Sequence, residues 1–292
     1  MNTLSIDRLS LVYPKGTRAL DCISLHIENG MFGLLGPNGA GKSSLMKILA
    51  TLQQPTDGRV LYNGTNIVRD SAGIKKKLGF LPQDFGVYPR VSAYNLLQHL
   101  AILKGVCDAQ ERKRQICGLL EKVNLTSFKN KDVYTFSGGM KQRFGVAQAL
   151  LGRPEILIVD EPTAGLDPEE RNRFNALLSD ISEEMIVILS THLVEDVRNL
   201  CSQVAIIDKG RLIGSGKPSE MISALKGKVW TKKIDKKLLS EYEHNYPVIS
   251  CRYIERALHI TTFGNRPPEG FSPVKPTLEH VYFRALKEPH TL

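Results

Sequence analysis

The chain has 292 residues, of which 42% are hydrophobic and 24% are charged, and its formal net charge is +9. This composition is typical of globular proteins and excludes an intrinsically disordered chain. Its longest apolar runs, such as 156–159 and 185–189, are far shorter than the ~18 residues that span a bilayer. The N-terminus has no basic segment followed by an apolar core, so we expect no signal peptide and a cytoplasmic chain.

The excess of basic residues is concentrated after Gly216, where 13 Lys and Arg stand against 8 Asp and Glu. A solvated basic surface is the ordinary explanation, and attraction to an anionic membrane leaflet or to nucleic acid are the alternatives. The five cysteines form no C-x-x-C pair. We therefore expect reduced thiols and no cysteine-based metal site.

Taken in chain order, the first 35 residues show apolar alternation that predicts strands. The apolar segment 31–35 predicts a short strand, and a glycine-rich loop and a predicted helix over 42–52 follow it. Further strands are predicted at 59–62 and 78–81. This first part of the chain is therefore expected to mix strands with one helix.

Three helical patterns follow, at 91–104, 109–123 and 137–151, and together they predict an all-helical insertion over about 86–152. Strands and helices then alternate, which favours a parallel sheet with helical crossovers. The predicted strands are 156–159, 186–189 and 204–207, and the predicted helices are 168–181 and 193–200.

After a short predicted helix at 219–225, the composition and the apolar pattern of the sequence change. Prolines become frequent, and only 253–262 shows a weak strand-like alternation. We predict one domain over 1–226 and a small accessory domain over 227–292.

A glycine-rich loop carries the clearest chemistry. It fits G-x-x-x-x-G-K-[ST] in full and lies between a predicted strand and a predicted helix, as that motif requires. Its backbone N–H groups and the helix N-terminus favour phosphate, Lys42 would neutralise the β- and γ-phosphates, and the Ser43 hydroxyl is suited to Mg²⁺. The ATP-binding residues expected here are Gly36, Pro37, Asn38, Gly39, Ala40, Gly41, Lys42, Ser43 and Ser44.

Two adjacent carboxylates, Asp160 and Glu161, end the buried strand that begins at Ile156. Alternation along a strand would send their side chains to opposite sides, so we expect them to have different roles. Asp160 suits a magnesium site, and Glu161 suits the water that attacks the γ-phosphate.

A second anion-binding pattern, Ser137-Gly138-Gly139, is followed by Met140-Lys141-Gln142-Arg143. With this segment the sequence resembles the ATP-binding cassette (ABC) ATPases, whose signature reads L-S-G-G-Q before a basic helix. The resemblance implies a head-to-tail dimer, a homodimer or a heterodimer with a second cassette, in which Ser137, Gly138 and Gly139 contact the ATP of the opposite subunit.

Other family elements can be placed singly on this sequence. By resemblance, Gln83 senses magnesium, Asp167 lies in the loop that crosses the dimer interface, and His192 contacts the γ-phosphate as a catalytic residue beside Glu161. Tyr13 matches the aromatic residue that stacks on adenine. The implied cofactors are ATP and Mg²⁺, with Ser43, Gln83 and Asp160 as metal ligands.

The resemblance covers residues 1 to about 216 and implies an α/β fold. We expect a RecA-like P-loop NTPase core with an N-terminal antiparallel β subdomain, a helical insertion and a small C-terminal α+β extension. Two positions depart from the signature: Phe136 replaces its leucine and Met140 its glutamine. The second exchange removes a hydrogen bond that the glutamine side chain could make to the opposing ribose.

The implied function is that of an ATP-hydrolysing subunit of an ABC transporter. It would sit on the inner face of the cell membrane through an integral-membrane permease subunit. Residues 79–84 and 88–96, together with the tail 276–283, resemble the subunits of drug and bacteriocin exporters, so export is expected. The permease would determine the transported substance.

Two alternatives stay open at this point. One is an importer subunit, which shares every catalytic residue with an exporter subunit. The other is a soluble cassette that acts on nucleic acid, ribosomes or iron–sulfur assembly. The paired cassettes or long coiled coil of the translation and DNA-repair members are absent from this sequence, so nucleic acid is not an expected partner.

Overall fold

The computed structural model describes residues 2–86 and 89–288. Tyr88, in the segment that resembles exporter subunits, lies outside the described residues. None of the helices in the described ranges combines the length and the apolar character needed to cross a bilayer.

An antiparallel sheet of four strands opens the chain, in the spatial order β2-β1-β4-β5. Its strands are β1 (Thr3–Val12), β2 (Arg18–Glu28), β4 (Asp57–Tyr62) and β5 (Thr65–Asn66). The alternation in β1 is imperfect because a register shift follows Ile6 and Arg8 adopts a left-handed φ of 44°. This bulge lets Leu9 and Leu11 bury on the same face as Ile6.

The central sheet has six strands in the order β10-β9-β3-β8-β7-β6. They are β3 (Gly30–Leu35), β6 (Leu78–Leu81), β7 (Ile156–Asp160), β8 (Ile186–Thr191), β9 (Gln203–Asp208) and β10 (Arg211–Gly216). All neighbours pair in parallel except β10, which is an antiparallel edge strand. The carboxyl ends of β3, β6, β7 and β8 therefore share one edge of the sheet.

The two faces of the central sheet belong to two separate hydrophobic clusters. Ile156 and Ile158 face the antiparallel sheet and helix α1 (Lys42–Leu49), whereas Leu157 and Val159 face the other helices. Helix α1 ends three residues earlier than predicted because Thr51 takes a left-handed φ of 58° and closes the helix.

The helical region follows β6, and its three main helices agree with the predicted ones to within two residues at each end. They are α3 (Ala93–Leu103), α4 (Ala109–Lys122) and α5 (Gly138–Ala149). Each begins at a polar cap whose side chain accepts a backbone N–H: Ser92, Asp108 and Ser137. Their apolar faces meet in the cluster that contains Leu97 and Phe144.

Three further helices surround the sheet: α2 (Ser71–Lys77), α6 (Pro168–Ser182) and α7 (Val194–Leu200). The last two confirm the crossover helices predicted after β7 and β8. Sequence reasoning missed α2, because Ile74 is its one buried residue and no apolar period marks it.

The C-terminal part forms a third sheet, in the order β12-β13-β11-β14, with three helices. Its elements are α8 (Pro218–Ser223), β11 (Val229–Ile234), α9 (Leu239–Asn245), β12 (Val248–Ile254), β13 (Ala257–Phe263), β14 (Ser272–Pro273) and α10 (Leu278–Lys287). The alternation over 253–262 is divided between two strands. A two-residue turn at Glu255 and Arg256, with φ of 48° and 67°, separates them.

The last helix returns to the first part of the chain. Leu278 and Val281 of α10 are 0% exposed and join the same cluster as the central sheet, where α10 packs against α7 and α8. Val229 of β11 belongs to that cluster too. The boundary predicted between 226 and 227 stays a prediction, and hydrophobic contacts cross it.

Candidate functional site

The glycine-rich loop leaves β3 and turns directly into α1. Gly39 and Gly41 have φ of 80° and 107°, a range that favours glycine, and Gly41 caps α1. A Cβ on Gly41 would lie 2.5 Å from the Ala19 carbonyl oxygen. The loop thus needs glycine at this position for its conformation and for its packing against β2.

Lys42 is the first residue of α1 and is 5% exposed. Its Nζ donates hydrogen bonds to the carbonyl oxygens of Gly36, at 2.8 Å, and Pro37, at 3.2 Å. Two carbonyl oxygens of the loop therefore hold the ammonium group against the loop itself.

The acidic pair at the end of β7 has a geometry that strand alternation does not describe. Asp160 is the last strand residue, and Glu161 leaves the strand with a left-handed φ of 47°. Strand alternation therefore applies only as far as Asp160, and the placement of the two side chains on opposite sides stays a prediction. Glu161 is held in this strained conformation in part by its N–H, which donates to the Ser190 carbonyl oxygen at 2.9 Å.

Three predicted site residues meet at this edge of the sheet. Glu161 Oε1 lies 3.3 Å from Lys42 Nζ, and its Oε2 lies 2.8 Å from His192 Nδ1. Glu161 is 12% exposed, whereas the His192 side chain is 43% exposed. A largely buried carboxylate thus connects a lysine from the glycine loop with a histidine that reaches solvent.

The residues predicted to bind magnesium, Ser43, Gln83 and Asp160, belong to three separate segments of the chain. Asp160 is 7% exposed, and its Oδ1 is buried without a hydrogen-bond partner. Ser43 and Gln83 are exposed, and Gln83 follows β6, whose Leu81 pairs with Val159. Hydroxyl, amide and carboxylate oxygens are the ligands that Mg²⁺ prefers. The unpartnered Asp160 oxygen can bind the ion directly or accept a hydrogen bond from a water that the ion holds. The chemistry of these three side chains therefore fits Mg²⁺.

Tyr13 lies close to the first turn of α1, directly after the glycine loop. It is half-buried against the cluster of the antiparallel sheet, and its hydroxyl lies 3.1 Å from the Ser44 hydroxyl. Within the loop, Ala40 is 2% exposed, whereas Asn38 lies at the surface.

The second anion-binding pattern lies on the helical region. Ser137 caps α5, and its hydroxyl accepts the Met140 N–H at 3.2 Å. Ser137 and Gly138 are exposed, so this helix start faces solvent. Phe136 is buried in edge-to-face contact with Phe144, at 6.1 Å between ring centroids, so this position of the signature keeps an apolar role.

The start of α5 is tied to the start of α6. Asp167 caps α6 by accepting the Glu170 N–H at 2.9 Å. The Glu170 carboxylate lies 3.4 Å from the Arg143 guanidinium of α5, and Arg143 also donates to the Val123 carbonyl oxygen at 3.0 Å. The sequence pattern alone indicates no role of its own for Arg143.

Known proteins resemble this chain over most of its length. A family model described as "ABC transporter" matches residues 20–164. The linearmycin resistance ATP-binding protein LnrL of Bacillus subtilis is 36% identical over 226 residues, which are 77% of this chain and 72% of LnrL. The chain belongs to the ABC transporter family.

The names of two further relatives state opposite directions of transport. The Nod factor export ATP-binding protein I of Cupriavidus metallidurans is 37% identical over 207 residues, which are 70% of this chain and 68% of the relative. The methionine import ATP-binding protein MetN 2 of Oceanobacillus iheyensis is 32% identical over 89% of this chain and 79% of its own length.

Among solved structures, the dimeric structure of the bacterial ABC transporter cassette MJ0796 is similar to this chain. The TM-score is 0.66 with 26% identity, over 73% of this chain and 98% of that cassette. The expected fold class, the ABC ATPase activity and the role as the ATP-binding subunit of an ABC transporter are thereby confirmed.

One buried residue beside the cassette's site escaped sequence reasoning. Asp196 of α7 is 1% exposed and accepts hydrogen bonds from Thr163, at 2.8 Å, and from Arg171, at 2.7 Å. The sequence offers no signal for it, because an acidic residue in the first turn of a helix is ordinarily a solvated partner of the helix dipole.

Proposed function

We propose that this ABC subunit binds ATP with Mg²⁺ between two chains and hydrolyses it at Glu161, and that dimer closure drives an exporter. The observation that carries the proposal is the cluster of Lys42, Glu161 and His192 at the glycine loop. It joins a phosphate-binding cation, a largely buried carboxylate and an exposed imidazole.

ATP would be held mainly by the loop and by Tyr13. The N–H groups of the loop and the N-terminus of α1 stabilise the phosphates, and Lys42 exchanges its carbonyl partners on Gly36 and Pro37 for phosphate oxygens. The Tyr13 ring stacks on adenine. Its hydroxyl contact with Ser44 keeps the ring beside the loop.

Ser43, Gln83 and Asp160 would hold the magnesium ion. When bound, Mg²⁺ neutralises charge that develops on the β- and γ-phosphates. Asp160 supplies a buried carboxylate with one oxygen still free to accept. Ser43 and Gln83 approach from the segments that follow β3 and β6.

Hydrolysis requires a group that orients the attacking water and accepts its proton. Glu161 is suited to this role because its position is fixed by Lys42 and His192. His192 would contact the γ-phosphate from the solvent side. Positioning and charge neutralisation provide most of the catalysis in such a site.

A second chain would complete the site. Ser137 and Gly138 are exposed at the N-terminus of α5 and Gly139 is buried behind them, and the three residues would bind the γ-phosphate of the ATP that the opposite subunit holds. Asp167 would lie in the loop that crosses this interface. The dimeric structure of the similar cassette supports this arrangement.

The membrane subunit would dock in an apolar groove of about 480 Å³ that lies between α2 and β6 on one side and α3 and α5 on the other. Its apolar lining includes Leu52, Leu78, Phe80, Leu100 and Leu103. Leu103 is 82% exposed, and Lys75 and Lys76 lie at the rim. A short amphipathic helix with an acidic residue beside these lysines fits this lining, and β6 leads from the groove to Gln83.

Location at the inner membrane face can be tested through this groove. We expect the wild-type chain and the variant Leu238→Asp, at an exposed leucine of the C-terminal part, to sediment with the membranes of the host. Leu103→Asp should stay in the soluble fraction while its circular dichroism spectrum is unchanged. Equal sedimentation of all three proteins would contradict the docking proposal.

Export is supported by the Nod factor relative and by the exporter-like segments of the sequence, whereas the methionine import relative favours the reverse direction. The two directions of transport can be distinguished by measuring uptake into inverted membrane vesicles that contain the whole transporter. An exporter accumulates its substrate in them with ATP, and an importer does not.

The catalytic assignment is tested by ATPase activity of the full chain. We expect Glu161→Gln to bind a fluorescent ATP analogue normally and to lose hydrolysis by a factor of about 10²–10⁴, the range of a general base. Glu155→Gln, at the other end of β7, is the matched control and should hydrolyse ATP at the wild-type rate. Undiminished hydrolysis by Glu161→Gln would overturn the assignment.

A further inference from the structure

The buried carboxylate of Asp196 lies outside the group of residues assigned above. Burying a charge is unfavourable unless it is paired and hydrogen-bonded, and Asp196 is 1% exposed. Thr163 donates to its Oδ2 at 2.8 Å, whereas Arg171 and Asn175 donate to its Oδ1 at 2.7 Å and 3.1 Å. Both oxygens therefore accept hydrogen bonds.

This carboxylate and its partners lie on three segments that carry the site, namely the loop after β7, helix α6 and helix α7. Asp196 is four residues after His192, and Thr163 is two residues after Glu161. Arg171 lies one turn beyond Asp167, the residue that caps α6. One carboxylate thus links the catalytic glutamate, the interface loop and the histidine.

The loop between Glu161 and Asp167 explains why such a link is needed. Glu161 has a left-handed φ of 47°, a conformation that persists only when its surroundings fix it on both sides. Its own N–H is fixed by the Ser190 carbonyl oxygen at 2.9 Å. On the other side, Thr163 is anchored by its side chain to Asp196.

Thr163 also begins the turn that leads to the interface loop. Its carbonyl oxygen accepts the Leu166 N–H at 3.3 Å, directly before Asp167. A shift of Thr163 would therefore move Glu161 and the interface loop together. Asp196 itself makes no contact with Lys42, Glu161 or His192 in the hydrogen bonds and ion pairs found among residues 2–86 and 89–288.

We propose that Asp196 is a positioning residue for ATP hydrolysis, which acts through Thr163 on Glu161 and through Arg171 on the interface loop. The inference rests on the proposed role of Glu161. It assigns to Asp196 an effect on the rate of the chemical step and none on the binding of ATP.

The test compares kcat with KM in the purified full chain. Asp196→Asn retains the shape of the side chain but removes its charge, and we expect kcat to fall by a factor of about 10–100 while KM for ATP changes by less than about twofold. Thr163→Val removes only the hydroxyl and should have the same effect. Thr163→Ser restores the hydroxyl and should restore kcat.

A structural role alone would give a different result. The control Glu155→Gln, directly before β7, also weakens a carboxylate network, with Tyr62 and Lys77, and should leave kcat unchanged. If Asp196→Asn and Thr163→Val lower the unfolding temperature but keep the wild-type kcat, the positioning role is refuted. The same holds if Thr163→Ser is as slow as Thr163→Val.

Failure of this inference can be told apart from failure of the proposed function. If Glu161→Gln hydrolyses ATP normally, the assignment of Glu161 is wrong whatever Asp196 does. If Glu161→Gln is inactive and both Asp196→Asn and Thr163→Val are fully active, only the positioning role falls.

Discussion

The glycine loop permits a prediction that separates backbone strain from steric overlap. At Gly41 both apply: φ is 107°, and an added Cβ would lie 2.5 Å from the Ala19 carbonyl oxygen. A side chain in such a conformation costs about 1–3 kcal/mol, and overpacking adds about 1–3 kcal/mol. We therefore expect Gly41→Ala to lower the free energy of unfolding by about 2–6 kcal/mol.

Two other glycines of the same loop supply the matched controls. Gly39 has a φ of 80° but open space around its Cβ position, so Gly39→Ala should cost only the conformational term of about 1–2 kcal/mol. Gly36 has no left-handed φ, but an added Cβ would overlap the Ile207 carbonyl oxygen, so Gly36→Ala should show the steric cost alone.

Urea denaturation of the nucleotide-free chain, followed by circular dichroism, measures the three free energies. The expected order of destabilisation is Gly41→Ala above Gly39→Ala, with Gly36→Ala also above Gly39→Ala. If Gly39→Ala is as destabilising as Gly41→Ala, the contact with β2 does not determine the need for glycine, and the reasoning fails.

Three further predictions concern residues around the core of the cassette. Tyr13→Ala should weaken ATP binding by about 1–3 kcal/mol through lost stacking, whereas Tyr13→Phe should bind ATP as the wild type does. If Tyr13→Ala and the wild-type chain bind ATP with equal affinity in fluorescence titrations, the stacking role is excluded. Leu278→Ala should lower the free energy of unfolding by about 2–5 kcal/mol because Leu278 is 0% exposed, and the exposed Leu238→Ala should change it by less than about 0.5 kcal/mol. Burial and the nearby Arg252 lower the pKa of His280, whose Nδ1 accepts the Thr277 N–H, so the unfolded chain binds the proton more readily. Stability should therefore fall as the pH drops below the ordinary value of about 6.5, and a variant His280→Gln with the same pH dependence would refute this.

Short-range patterns made much of the fold predictable. The caps Ser92, Asp108 and Ser137 stand directly before apolar helical periods, and the three helices begin where these residues indicate. The glycine loop was recognisable because its motif fixes both the conformation and the neighbouring elements. The parallel order of the central strands then brings the ends of β3, β7 and β8 to one edge.

Other features depend on contacts that the sequence pattern does not encode. The left-handed conformation of Glu161 is held by Ser190, which lies 29 positions later in the chain. The turn at Glu255 and Arg256 has neither glycine nor asparagine to mark it. The burial of Asp196 follows from the packing of α7 against α6, which no local signal predicts.

The central claim is that two chains enclose ATP between the glycine loop of one and Ser137 of the other. It is tested by size-exclusion chromatography with light scattering on the Glu161→Gln protein, with and without ATP and Mg²⁺. We predict a dimer with ATP, a monomer without it, and a monomer again when Ser137→Arg is added. A Glu161→Gln protein that binds ATP and remains monomeric, or a dimer that survives Ser137→Arg, would contradict the account.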